Sequence, residues 1–322
     1  ILNPSSPSDD PTTTGKAPAI KPCPPSPLII IGLSPRVNGI PPVPPANTGI
    51  PPIPPAISGI SIPAKFSIVN GLPSSKSDTV CPLSVARSKI RAGLSEIKDE
   101  LDKVTEQGFT TIKIKVGKDV NADIKKINNI QTYLNGRATL RIDANRGYTK
   151  KDGCKFVQGL KPDFIELFEQ PCDANDWDAN AAVAKLSHIP IMLDEPICSI
   201  KDIEKASKLK GVGLCKLKLK RFLSITKLTE AIKFAHKLGL KIVLGDGLGT
   251  EINCWMEARI AKNLIDNAGE YNGFLKIDPK ARILSNPLKF TNGFLLISEN
   301  WNLEIDRDKL EKYSINKEEI YK

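Results

Sequence analysis

Histidine is almost missing from this chain: its 322 residues contain two, His188 and His236. His236 falls in AIKFAHKLG, a surface-helix pattern, and His188 sits just ahead of an apolar run. Neither a Ser-His-Asp relay nor a His–Asp dyad finds support. Cysteine occurs seven times, but never as CxxC and never at short spacing to histidine. That argues against a zinc site and a disulfide framework and points to a reducing cytoplasm. Nothing around Cys172, Cys198 or Cys215 resembles a setting that would activate a thiol. No apolar stretch is long enough to span a membrane. The start lacks a basic n-region followed by an apolar h-region, so no signal peptide is expected. It also lacks an initiating methionine, which leaves a fragment or a processed form open. Aromatics make up 6% of the chain, and no basic run is interleaved with them. The net charge of +10 therefore reads as a solvated basic surface around a site for carboxylates, with no nucleic-acid and no membrane partner expected. A homo-oligomer stays open.

Residues 1–88 and 89–322 follow different grammars. Of the 26 prolines, 20 precede Val85, and Phe66 is the only aromatic residue before that point. A ten-residue repeat runs GIPPVPPANT from Gly39, GIPPIPPAIS from Gly49, then a decaying GISIPAKFS from Gly59. Paired prolines forbid helix and remove ladder donors, so this low-complexity stretch is expected to be polyproline II or disordered. A partner-binding tail, a linker and the product of a damaged reading frame are the three readings it allows, the last slightly favoured by the abrupt break in composition.

From about Ile90 the pattern becomes globular. Ile90, Leu94, Ile97, Leu101 and Val104 form one helix stripe ended by Gly108. Strand-like runs follow at Thr110–Val116, Leu140–Asp143, Phe164–Phe168, Ile189–Asp194, Gly213–Leu219 and Lys241–Gly245, with helical segments such as Asn175–Ser187, Ile203–Leu209 and Ile225–Leu238 between them. Strand–helix repetition without hairpin signals predicts a parallel sheet, and no GxGxxG turn opens it, so a closed α/β barrel is expected over an open nucleotide-binding sheet. Thr79–Val85 is the candidate first strand, and NGFLKI the candidate last, with Lys276 in reach of the site.

Charged residues stand at the ends of these runs, 24–28 residues apart: Lys115 in TIKIKVG, Asp143 in LRIDAN, Glu169 in FIELFEQP, Asp194 in PIMLDEP, Lys218 in LCKLKLK and Asp246 in KIVLGDG. One strand, one helix and two turns take roughly that length, so the groups are expected on one face of the barrel. Alternation puts Lys113 with Lys115, and Arg141 with Asp143 and Asn145. Three carboxylates gathered there would repel one another, and a hard divalent cation such as Mg²⁺ would relieve that repulsion. The plainer alternative makes each acid an ordinary strand-end residue that caps a helix or pairs with a lysine.

KIKVG, RIDAN, FEQP and LDEP, followed by a lysine strand, resemble the enolase superfamily, in particular its muconate-lactonizing-enzyme subgroup, from about Glu96 to at least Ala258. The resemblance implies a TIM-like (β/α)7β barrel and Mg²⁺ held by Asp143, Glu169 and Asp194. It also implies acid/base roles for Lys115 and Lys218 on opposite faces of a carboxylate substrate. Metal contact would stabilise the ene-diolate left when the α-proton is lost. A free lysine titrates near ~10.4, so Lys115 needs a nearby positive charge to lower that value, and Lys113 is the candidate tuner. Asn145, Glu195 and Asp246 are expected as partners that orient ligands or substrate. Racemisation or epimerisation of an amino-acid derivative or dipeptide is the first expectation. o-Succinylbenzoate-synthase-like dehydration or muconate cycloisomerisation is the runner-up, and an inactive barrel serving as a binding scaffold is the reading from another class. Two positions depart from the family pattern: Lys216 stands where asparagine is usual, and Leu223-Ser224 where Gly-Gly commonly follows. Residues 1–88 stand where the family carries an α+β capping domain and do not resemble it. Without that lid the metal site would stand open to water and lose substrate contacts, which leaves open whether the chain is active as it stands.

Overall fold

The computed structural model describes residues 94–245, 249–271, 273–297 and 302–314, together with the backbone of three short strands, β1 (Leu28–Ile30), β2 (Val80–Pro82) and β3 (Ala86–Ser88). Helix α1 (Leu94–Glu106) leads into an alternating series: β4 (Thr111–Lys115), α2 (Val120–Leu134), β5 (Thr139–Asp143), α3 (Lys150–Gln158), β6 (Ile165–Glu169), α4 (Trp177–Leu186), β7 (Ile191–Leu193), α5 (Ile200–Ser207), β8 (Val212–Leu217), α6 (Leu219–Phe222), α7 (Ile225–Lys237), β9 (Lys241–Leu244) and α8 (Glu251–Leu264). The six strands β4 to β9 pair in chain order, all parallel, as a curled sheet of the TIM-barrel type. A hairpin, β10 (Phe290–Thr291) and β11 (Phe294–Leu296), and helix α9 (Arg307–Tyr313) complete the described chain.

Local chemistry starts the helices on cue. Asp119, Thr149, Asp176, Ser199 and Ser224 each accept a hydrogen bond from the first turn of α2, α3, α4, α5 and α7, satisfying an orphan amide there, whereas Lys218 before α6 and Thr250 before α8 give no side-chain cap. Alternation along the strands then sorts the side chains. Ile112, Ile114, Leu140, Ile142, Phe168, Ile191, Leu193, Cys215, Leu217, Ile242 and Leu244 belong to the main core with the helices. The alternate positions Leu167, Met192, Leu214 and Val243 form a separate apolar cluster on the inner face.

Two expected strands are corrected. Val80–Pro82 does not open the parallel sheet; it pairs antiparallel with β11 at the edge of a three-stranded sheet. Pro82 has no amide to give a ladder, and an edge tolerates that. NGFLKI is not a strand either: Gly273–Lys276 is a 3-10 turn that contains Lys276. The parallel neighbour of the β9 end is a single bridge between Gly245 and Glu270. A side chain at Gly245 would bring its Cβ to 2.5 Å from the Glu270 Cβ, so glycine is what lets the two segments meet. Among the described residues, no helix is long and apolar enough to cross a membrane.

Candidate active site

The expected residues converge at the C-terminal ends of the parallel strands. Lys115, Asp143 and Glu169 stand side by side in one row across β4, β5 and β6. Asp194 lies just past β7, and Lys218 just past β8. Lys115 Nζ is 2.5 Å from Asp143 Oδ2 and 2.5 Å from Asn145 Oδ1, while Asp143 Oδ1 accepts the Asn145 amide at 2.8 Å. Across the mouth, Lys218 Nζ donates to Asp194 Oδ2 at 2.7 Å. Glu195 meets the Arg146 guanidinium at 3.4 Å. Asp246 lies outside the described residues.

One layer deeper, Lys113 Nζ is 2.8 Å from Asp143 Oδ2, 2.5 Å from Glu169 Oε2 and 3.2 Å from both oxygens of Glu270. Burial would discharge this ammonium, but Asp143, Glu169 and Glu270 outweigh it and hold Lys113 well above the ordinary lysine range. The carboxylates divide in the opposite way. Burial would raise Asp143, yet Lys113 and Lys115 hold it well below its ordinary value. Burial, and then the Asp143 charge beside it, push Glu169 up to about 7. Asp194, also buried, is lowered by Lys218 and Arg221, and Glu195 is raised by burial and by the charge of Asp194.

Sequence reasoning missed four contributors. Glu270 holds Lys113 and, at 2.5 Å, Lys216. Arg141, expected only as a face-mate of Asp143, is fully buried, grips both oxygens of Glu166 at 2.8 Å and donates to the Ala268 carbonyl at 3.1 Å. Arg221 lies 2.9 Å from Asp194 Oδ1 and donates to the Asp194 and Ile197 carbonyls at 2.5 and 3.3 Å. Gln170, inside the FEQP motif, accepts the Asp194 amide at 2.9 Å and so ties the end of β6 to the end of β7. The FEQP glutamine was in view as a motif letter; Glu270 had no strand pattern around it to signal its place.

Backbone strain gathers at these same ends. Asn145 (φ 44°), Arg146 (φ 68°) and Gln170 (φ 37°), each close after a barrel strand, and Leu223 (φ 63°), which ends the single-turn helix α6 beyond β8, are non-glycine residues in the left-handed region. Leu223 takes a conformation that glycine adopts without strain, the physical reason a glycine suits that position. The loops after β4 and β5 pack back to back. Gly117 (φ 105°) leaves no room for a Cβ, which would fall 2.5 Å from the Ala144 carbonyl, and a Cβ on Gly147 would strike the Gly117 carbonyl. Asp123 locks this pair by accepting from the Gly117 and Lys118 amides at 2.9 and 3.1 Å and from the Tyr148 hydroxyl at 2.9 Å.

Among the described residues, no three acidic, imidazole or thiol side chains stand close enough together to enclose a metal ion; ammonium groups lie against the acids instead. The donor set nevertheless suits a hard cation. All three expected ligands are buried carboxylates, and positive charge is already drawn to them: Lys113 Nζ stands 2.5 Å from Glu169 Oε2 and Arg221 2.9 Å from Asp194 Oδ1.

Residues 96–309 match the family described as enolase C-terminal domain-like. An L-Ala-D/L-Glu epimerase of Clostridium acetobutylicum is 31% identical over 169 residues, which are 51% of this chain and 44% of that protein. An N-succinyl-L-Arg/Lys racemase of Bacillus cereus is 25% identical over 229 residues, 67% of this chain and 59% of that one. The chain thus spans about half the length of the curated relatives it matches. Among solved structures, muconate cycloisomerase from Pseudomonas fluorescens shares the fold at TM-score 0.64 and 20% identity, over 70% of this chain and 64% of that one.

Proposed function

The chain belongs to the enolase superfamily, in its muconate-lactonizing-enzyme subgroup, and from that premise we propose that its barrel, residues 89–322, removes and returns the α-proton of a carboxylate substrate. The observation that carries this reading is the pair of lysines on opposite sides of the acid row, Lys115 against Asp143 at 2.5 Å and Lys218 against Asp194 at 2.7 Å. Lys115 takes the proton on one face of the substrate carbon and Lys218 delivers one on the other, the geometry that inverts a stereocentre. Lys113, one layer below them, is held as a cation by Asp143, Glu169 and Glu270 and is the fixed charge under the acid row. Asn145 orients the Lys115 amine.

Asp143, Glu169 and Asp194 would hold Mg²⁺, with Glu195 and, from its place in the sequence alone, Asp246 to orient ligands or substrate. When bound, the ion lowers the cost of the charge that collects on the substrate carboxylate as the proton leaves. The relatives' names point to dipeptides and N-acylated amino acids as the first substrates to try.

Solvent-deuterium incorporation at Cα across such a library tests the proposal. Exchange is expected with Mg²⁺, and Lys115→Ala and Lys218→Ala are each expected to abolish it for one enantiomer. No exchange by the wild-type chain, or unaltered exchange in Lys115→Ala, overturns it. The competing reading, an inactive barrel kept as a binding scaffold, is favoured by the basic side chains already seated on all three acids. Calorimetry that finds no Mg²⁺ affinity, unaltered by Asp194→Asn, would decide for it.

A further inference from the structure

Inside the barrel, the buried cations pair off unequally. Arg141 is taken bidentately by Glu166, at 2.8 Å for each oxygen. Lys216, 1% exposed, reaches a carboxylate among the described residues only at Glu270, 2.5 Å away. Lys113 is divided among Asp143, Glu169 and Glu270. Glu270 thus answers two ammonium groups at once, from the one segment that meets β9 by a single bridge through Gly245. The charge of Lys216 is also felt by Glu169.

We infer that Glu270 is a positioning residue for the acid row: by taking the charge of Lys216 and sharing that of Lys113 with Asp143 and Glu169, it keeps a further ammonium off the two acids that would hold a divalent cation. With Glu270 neutral, both ammonium groups fall to Asp143 and Glu169, and two acids facing two fixed cations have little left to offer an ion. The inference rests on the metal reading above. It also gives the unusual lysine at position 216 a counterpart: Lys216 enters the site compensated by Glu270.

Mg²⁺ binding to the full chain, followed by calorimetry beside metal-free thermal melts, tests this without recourse to turnover. Glu270→Gln is expected to weaken binding about tenfold or more, in line with other residues that support metal ligands. Lys216→Met is expected to tighten it, and Lys216→Met/Glu270→Gln to bind more tightly than Glu270→Gln alone. A Glu270 that merely packs would lower the melting temperature while leaving the affinities equal, and that outcome overturns the inference. Should Glu270→Gln fail to fold, Lys216→Met decides, because weaker binding than wild type overturns it too. A wild-type chain that takes up no Mg²⁺ sinks the proposed function and this inference together. A wild-type chain that binds, with all variants equal to it, sinks this inference alone.

Discussion

Lys113, Arg141 and Leu167 stand side by side in one row across β4, β5 and β6, yet the row changes chemistry halfway. On the β6–β9 side the inner face carries the apolar cluster Leu167, Met192, Leu214 and Val243, with Lys216 of β8 as the one buried cation beside it among the described residues. On the β4–β5 side the same space is filled by a lysine and an arginine, each buried and each needing acids. The apolar half is stabilised by area removed from water and tolerates rearrangement. The charged half is held by pairing, so it fixes which segments must approach: Glu166 from β6 and Glu270 from beyond α8. The charged half also lies directly beneath Lys115 and Asp143, so the chemistry of the mouth rests on a polar floor.

Four experiments would break or sharpen that contrast. The largest effect is expected for Arg141→Met, which strips Glu166 and the Ala268 carbonyl of their partner; loss of one side of a buried pair costs about 3–5 kcal/mol, read as a shift in the urea midpoint. A neutral result would mean the charged floor is dispensable. Leu214→Ala on the apolar side is expected to cost about 2–4 kcal/mol through lost burial and a cavity, with Mg²⁺ affinity unchanged; a loss of affinity would show that the two halves are coupled. Third is a slope rather than a step. Glu169 is raised to about 7 when folded, against an unfolded value near ~4.3. Its contribution to metal-free stability is full below the unfolded value and is lost as pH rises through the folded one. The wild-type urea midpoint should therefore carry a decline between pH 5 and 8 that Glu169→Gln lacks, and a parallel decline in both proteins would refute this. The smallest effect belongs to Leu223→Gly, outside both halves: relief of a left-handed backbone, offset by glycine's entropy, should stabilise by about 0.5 kcal/mol. A destabilised variant would reveal that the exposed Leu223 side chain has a packing role.

The acid ladder was legible because each rung closes a β-branched or apolar run, and the sheet's period turns equal spacing into a shared face. Six strands and their order follow from that pattern, with no boundary shifted by more than two residues. The final closure was not legible. Glu270 lies in AGEYNG, where no run of β-branched residues announces a strand, and its pairing is one bridge long. Arg221 was hidden because a single helical turn, Leu219–Phe222, carries it back over Asp194, a path no periodicity encodes. Lys113 was anticipated as a neighbour of Lys115, but its hold on Glu270 required the far end of the chain.

The back-to-back glycines at 117 and 147 limit how this mouth can be diversified. With no volume between the loops that follow Lys115 and Asp143, neither can accept a side chain, and Asp123 binds both into one body. An engineer who randomises those loops separately would mostly collect misfolded chains. New selectivity is better sought around Leu223 and the rim beyond β8, where the backbone is already strained and the side chain is 82% exposed.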